Sequence, residues 1–205
     1  MINCDFDTDT HTAKDYQQGH PHSTDLGIVQ YNCGNANYRL ARSVFDRLHP
    51  EKHYVIAIQE PYLNARARTT YCPPGYHLCY TAAPETRVYF LVSKRISTQE
   101  WRFHPSHADV ASLTLRTTIR TVEIINVYNP SPTSLRSLTP SRLAEVRDAL
   151  QRCSEHGNQP ILLGDFNLHH PAWGGSQSGV HDLAEELLGL VEEHGLRILP
   201  PGEIA

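Results

Sequence analysis

The chain has 205 residues, of which 40% are hydrophobic and 20% are charged, and its formal net charge is -4. This length suits one domain of ordinary size, and a chain that is not basic is unlike proteins that wrap nucleic acid over their whole surface. The sequence contains no run of about 18 consecutive apolar residues, so it predicts no membrane span.

Cysteine usage and the N-terminal residues favour an intracellular protein. The five cysteines are scattered, and no two of them have the CxxC spacing of a zinc site. No basic segment is followed by an apolar one at the N-terminus, so no signal peptide is predicted. We expect the protein to be nuclear if it acts on DNA and otherwise cytoplasmic. Residues 1–25 are polar and aperiodic, and are predicted to be a disordered leader before a domain at 26–205.

Apolar runs and helical spacing predict the first elements of that domain. Buried strands are expected at 26–31 and 54–58, with a helix at about 38–48 between them. A loop follows from Tyr62 to Pro74. Further strands are predicted at 76–80, 87–92, 112–117 and 121–127. Their close spacing favours antiparallel pairing.

Helices and strands alternate in the last third of the chain. A helix is predicted to begin near Thr139-Pro140 and to run to about Cys153. A short strand at 161–163 follows, and a Gly/Ser/His loop leads to a helix at 182–194. Residues 196–199 are predicted to start another strand.

Four of the predicted strands end on polar groups that could bind a metal ion or a phosphate. These groups are Asn32, Glu60, Tyr128 with Asn129, and Asp165 with Asn167. A single strand often stops at Asn or Asp for reasons of turn geometry, but four such ends in one chain form a constellation. Alternation along an extended backbone would point Asp165 and Asn167 to the same side. We therefore expect these groups to surround a cleft at one edge of a sheet.

The oxygen ligands in this set favour Mg²⁺ or Mn²⁺ over zinc. Because magnesium keeps several waters, Glu60 could hold the ion with help from Asn32. Asp165 would then orient or deprotonate the attacking water, while Tyr128 and Asn167 would hydrogen-bond to phosphate oxygens. These roles indicate phosphoester hydrolysis.

The order of four short motifs resembles that of the endonuclease/exonuclease/phosphatase superfamily, whose fold is that of deoxyribonuclease I. The motifs are Gln30-Tyr31-Asn32, Gln59-Glu60-Pro61, Asn126-Val127-Tyr128 and Gly164-Asp165-Phe166-Asn167. The segment from Asp165 to Gly174 is similar to the endonuclease domain of non-LTR (LINE-type) retrotransposons. The resemblance implies a two-sheet α/β sandwich flanked by helices, dependence on Mg²⁺ or Mn²⁺, and nicking of DNA. It also implies a reverse transcriptase region in a longer parent polypeptide.

One expected motif of that superfamily is absent from the sequence. Its members carry a C-terminal Asp-His pair, usually within Ser-Asp-His, and no such pair occurs after Leu196. The resemblance therefore implies a C-terminally truncated domain without its last strand or strands, and an activity impaired by that loss. Two alternatives stay open: a non-catalytic remnant that at most binds nucleic acid, and a phosphomonoesterase of the same fold acting on a small molecule or lipid headgroup.

Several further residues are candidates for contact with the DNA backbone. They are Asn129, His169, His170, Arg66 and Arg68. A few local charges suffice for phosphate contacts, although a solvated surface charge is the alternative for each arginine. The alternative for the two histidines is a loop packed against Trp173, which we expect to brace that loop. No obligate protein partner is evident.

Overall fold

The computed structural model describes residues 26–34, 38–64, 70–81, 83, 85–131, 141–174 and 182–199. The predicted leader at 1–25, Arg66, Arg68 and the predicted helix start at Thr139-Pro140 lie outside these ranges.

The first β-sheet is built from the N-terminal half of the chain. Its strands are β1 (Ile28–Asn32), β2 (Val55–Gln59), β3 (Tyr76–Tyr80) and β4 (Val88–Ser93), in the order β1-β2-β4-β3. β1 and β2 are parallel, because α1 (Tyr38–Phe45) lies in the crossover between them. β4 pairs antiparallel with both β2 and β3, as the close spacing of β3 and β4 in the sequence predicted.

The second sheet has a similar plan. Its strands are β5 (Trp101–Pro105), β6 (Val110–Arg116), β7 (Thr121–Tyr128) and β8 (Gln159–Asp165), paired in chain order. β5, β6 and β7 are antiparallel, whereas β7 and β8 are parallel across the crossover that contains α2 (Leu143–His156). β5 was not predicted. It is an edge strand that is only partly buried and ends on a proline, so it has no continuous apolar run.

The two sheets pack face to face, and helices cover their outer faces. Val55, Phe90 and Leu113 belong to the core between the sheets. Phe45 of α1 packs on the outer face of the first sheet. α2 and α3 (Asp182–Glu193) pack on the outer face of the second sheet. This arrangement is the predicted two-sheet α/β sandwich.

The C-terminal elements require two corrections. Residues 196–199 form no strand; instead the Leu196 amide donates to Val191 O at 2.8 Å after the end of α3, and its side chain packs into the core beneath that helix. A short apolar run indicates burial but cannot by itself supply a partner strand. Helix α2 begins at Leu143, later than predicted. None of the helices in the described ranges is long and apolar enough to pass through a bilayer.

Candidate active site

The strand ends singled out in the sequence meet at one edge of the sandwich. β1 and β2 run parallel and end together in the first sheet, and β7 and β8 do the same in the second. The Asn32 amide donates from Nδ2 to Asp165 Oδ2 at 2.7 Å. Since Asn32 ends β1 and Asp165 ends β8, this bond joins the two sheets at the edge where both parallel pairs terminate.

The Asp165 carboxylate is held by two N–H donors. Its Oδ2 accepts from Asn32, and its Oδ1 accepts from the backbone N–H of Asn167 at 3.1 Å. The expectation that strand alternation aligns Asp165 with Asn167 is wrong, because β8 ends at Asp165 and Asn167 has a left-handed φ of 50°. A tight turn brings the two residues together instead. The Asn167 side chain then donates to Asn129 O at 2.8 Å.

Glu60 and Tyr128 approach each other from opposite sheets. Glu60 follows β2 with a φ of 47°, and its N–H donates to Arg87 O at 2.9 Å. The pKa of Tyr128 is raised to about 12. Burial is the largest cause, the hydrogen bond to Glu60 is the next, and the negative charge of Asp165 contributes less. Both carboxylates therefore act on the pKa of the phenol, which is protonated at neutral pH.

Arg87 is fixed beside this phenol by a buried carboxylate. Its guanidinium makes two bonds to Asp109, from Nε to Oδ1 at 2.6 Å and from Nη2 to Oδ2 at 2.8 Å. It also lies 4.5 Å from the centre of the Tyr128 ring. Arg142 donates to the same Asp109 at 2.9 Å. The Asp109 side chain is only 2% exposed, so two cations neutralise one buried anion.

A cleft opens next to Glu60. Its volume is about 400 Å³. It is lined by Glu60, Pro61, Tyr62, Leu63, Glu85, Thr86 and Arg87. The site thus combines an accessible cavity with a carboxylate and a cation at its wall.

Residues 122–204 match the model of a family described as endonuclease-reverse transcriptase. Among solved structures, the chain is similar to the endonuclease domain of TRAS1, a telomere-specific non-LTR retrotransposon, with a TM-score of 0.59 and 18% identity over 88% of this chain and 75% of that one. The C-terminal part of the chain is therefore similar to the endonuclease-reverse transcriptase family, and the chain as a whole has the fold of the TRAS1 endonuclease domain.

Two further solved structures share this fold. The AP endonuclease LMAP from Leishmania major has a TM-score of 0.63 and 14% identity, over 82% of this chain and 66% of that one. D. rerio TDP2 complexed with a single-strand DNA product has a TM-score of 0.50 and 15% identity, over 88% of this chain and 68% of that one. No curated protein matches the sequence.

Asn129 has a structural role in the chain, in place of the predicted phosphate contact. Its side chain is fully buried. The amide donates to Phe166 O at 2.9 Å and accepts from the N–H of Arg142 at 2.8 Å and the hydroxyl of Ser141 at 3.3 Å. The residue therefore ties the ends of β7 and β8 to the start of α2 and has no surface for DNA.

Trp173 braces the loop after β8, as expected from the sequence. The Trp173 indole donates to Leu168 O at 2.9 Å, and its ring lies 4.9 Å from that of His170. His170 Nδ1 accepts from Ala172 N at 3.1 Å, and Nε2 lies 3.2 Å from Glu185 Oε1. Both ring nitrogens of His170 thus contact protein in the free chain, and a contact of His170 with DNA stays a prediction. His169 is exposed, and its contact with DNA stays a prediction.

The donor set at the edge suits a hard cation with few protein ligands. In the described ranges, no group of three or more His, Cys, Asp or Glu side chains is arranged to hold a metal ion. A Mg²⁺ ion needs only one or two carboxylates because it retains its waters. The Glu60 carboxylate, which is partly exposed at the cleft, could hold such an ion. Asn32 Oδ1 accepts from the Gly34 N–H at 2.7 Å and keeps a second lone pair that could assist.

Sequence reasoning overlooked Asp109, and it named Gln59 and Asn126 within motifs without assigning either of them a role. Gln59 and Asn126 are both fully buried, and Asp109 is 1% exposed. The available signal was a polar residue within or beside a strongly apolar strand, because such a residue needs a partner when it is buried.

Proposed function

We propose that the chain hydrolyses phosphodiester bonds in DNA with the help of a divalent cation. The observation that carries this proposal is the Asn32–Asp165 bond of 2.7 Å, which brings the polar strand ends of both sheets into one site. The site contains two carboxylates, a protonated phenol and two amides beside an open cleft. These groups match the needs of water activation and phosphate binding.

Asp165 orients the attacking water and accepts its proton. Hydrogen bonds from Asn32 and from the N–H of Asn167 hold its two oxygens in place. A general base must be positioned before its basicity matters, and such a group contributes about 10²–10⁴-fold to a hydrolysis rate. The two bonds supply that orientation without adding a neighbouring positive charge.

In the proposed mechanism Tyr128 and Asn167 bind the phosphate. The Asn167 amide donates one hydrogen to Asn129 O at 2.8 Å and keeps its second hydrogen for a phosphate oxygen. The Tyr128 phenol is protonated at neutral pH, as an ordinary tyrosine is, and burial and the adjacent Glu60 raise its pKa further, to about 12. Its one O–H donates to Glu60 in the free chain and would turn to a phosphate oxygen when the substrate binds. The Arg87 guanidinium stacked on its ring adds positive charge to this side of the cleft.

Glu60 and Asn32 are the residues that would hold a Mg²⁺ or Mn²⁺ ion. When bound, the ion neutralises charge that develops on the scissile phosphate and on the leaving oxygen. Glu60 lies at the wall of the cleft, where substrate and ion could enter together.

Similarity to two solved structures supports DNA as the substrate. One is the endonuclease domain of the retrotransposon TRAS1, and the other is D. rerio TDP2 complexed with a single-strand DNA product. With a net charge of -4, this chain would have to bind DNA through local contacts around the cleft. A role in a retrotransposon, with a reverse transcriptase region in the same polypeptide, is part of this proposal.

The decisive experiment is plasmid nicking by the purified 205-residue chain. We expect conversion of supercoiled to open-circular DNA with Mg²⁺, and none with EDTA. Glu60→Gln and Asp165→Asn should each lower the rate by about 10²–10⁴-fold. Glu192→Gln, which removes an exposed carboxylate of α3, should not.

Three outcomes contradict the proposal. Nicking that persists in both site variants indicates a contaminating nuclease. Release of phosphate from a phosphomonoester, without nicking, indicates a phosphomonoesterase. Retardation of DNA in a gel without any hydrolysis indicates a non-catalytic binder.

A further inference from the structure

Amide side chains lie just before three of the strand ends that form the site. Gln30 lies two residues before the end of β1, Gln59 is the last residue of β2, and Asn126 lies two residues before the end of β7. Gln59 and Asn126 are fully buried within an otherwise apolar region between the sheets. We call these three residues the amide bridge.

Asn126 connects the second sheet directly to the first. Its Nδ2 donates to Ile58 O at 3.1 Å and to Tyr89 O at 3.0 Å, which are carbonyls of β2 and β4. Its Oδ1 accepts from Gln59 Nε2 at 2.5 Å. Both donor hydrogens and the acceptor oxygen of this one side chain are thus used across the sheet interface.

Gln30 completes a second link between the sheets. Its Nε2 donates to Gln59 Oε1 at 3.2 Å and to Gly164 O in β8 at 3.0 Å. Gly164 immediately precedes Asp165, and Gln59 immediately precedes Glu60. The amide bridge therefore lies directly beneath the two carboxylates of the site.

The relative position of the two sheets decides the geometry of the site. Glu60 and Asn32 belong to the first sheet, and Tyr128 and Asp165 belong to the second. Apolar contacts are non-directional and permit small sliding movements, whereas hydrogen bonds require defined distances and angles. A size-matched apolar pair could fill the same space with little loss of stability. The buried amides therefore indicate that the two sheets must be held at a defined position relative to each other.

We infer that Gln59 and Asn126, supported by Gln30, are positioning residues that hold the two halves of the site in register. This inference rests on the proposed phosphodiester hydrolysis. It adds residues that contact neither the substrate nor the cation and act through the placement of Glu60 and Asp165.

The first test compares nicking kinetics of Gln59→Met and Asn126→Leu with those of the unaltered chain. We expect kcat to fall by about 10²-fold, the effect of a misplacement of about 1 Å, while KM for DNA changes much less. The matched control is Ser112→Ala, which removes a buried hydrogen bond to Glu123 in the second sheet. It should reduce stability but leave kcat unchanged.

The second test does not depend on activity. Asn32→Ala and Asp165→Ala, alone and combined, give the coupling energy of the Asn32–Asp165 bond from urea unfolding. We expect this coupling to be present in the unaltered chain and in Ser112→Ala, and to be lost in Asn126→Leu. If the unaltered chain does not nick DNA, the proposed function fails, and this cycle alone decides the inference.

Two results overturn the inference. One is a folded Gln59→Met or Asn126→Leu chain that retains the kcat of an active unaltered chain. The other is an Asn32–Asp165 coupling that persists in the variant background. If neither buried variant folds, Gln30→Ala takes their place, because Gln30 is exposed and its loss removes one donor to Gln59.

Discussion

Replacing Asn129 with alanine should destabilise the junction where β7, β8 and α2 meet. The Asn129 side chain is fully buried. Its amide donates to Phe166 O at 2.9 Å and accepts from the N–H of Arg142 at 2.8 Å. The substitution leaves a buried N–H before the first turn of α2 without a partner, and also leaves a partly buried carbonyl after β8.

The expected loss follows from these two groups. A buried N–H left unsatisfied costs about 1–3 kcal/mol, and the second bond contributes about 1 kcal/mol net. We therefore expect Asn129→Ala to lower the free energy of unfolding by about 2–4 kcal/mol. For a chain of this length, the melting temperature should fall by roughly 5–15 °C.

Urea unfolding followed by circular dichroism measures this loss. The matched control is Asn158→Ala, because the Asn158 amide is partly buried and donates to Glu123 at 3.2 Å. That variant should lose about 1 kcal/mol. If Asn129→Ala loses no more than Asn158→Ala, water replaces the amide and the reasoning is refuted.

Three further predictions concern buried groups elsewhere. Asp109→Ala leaves two guanidinium groups without their shared anion, and should cost about 3 kcal/mol in urea unfolding; a loss below 1 kcal/mol would contradict the burial argument. Gly164→Ala should fail to fold, because a Cβ there would lie 2.1 Å from Val127 O, whereas Gly189→Ala, with open space around it, should yield folded protein on gel filtration. The pKa of Tyr76 is raised from 10.0 to about 12, chiefly by burial. The folded state therefore favours the neutral phenol, and the contribution of Tyr76 to the free energy of unfolding is complete below pH 10 and is lost as the pH rises through about 12. Circular dichroism should therefore show alkaline unfolding at higher pH in Tyr76→Phe than in the unaltered chain, and an identical midpoint would disprove this role.

The strands that are clearest in the sequence are the two that are buried along their whole length. Every residue of β2 and of β4 is buried, so each appears in the sequence as an apolar run that stops only at its last residue, Gln59 or Ser93. β5 was missed because an edge strand with one partner needs no such run. The strand expected at 196–199 was wrong for the converse reason, since Leu196 is apolar because it packs beneath a helix.

The residues of the candidate site could be proposed from the sequence, but several of their roles could not. Asn32 and Asp165 were recognisable as polar ends of apolar strands, and the structure brings them together. Asn129 has the same position in the sequence pattern, yet it is buried. A strand-end position does not show whether a side chain turns toward solvent or toward the chain.

The sequence by itself determined the helices, most strands and the set of polar groups at the strand ends, because burial periodicity and turn chemistry act over a few neighbouring residues. Only the tertiary structure decided which of these groups meet. Asn32 and Asp165 are 133 positions apart, and Gln59 and Asn126 are 67 apart. Such pairings depend on how one sheet is placed over the other, and that placement results from the packing of the whole core.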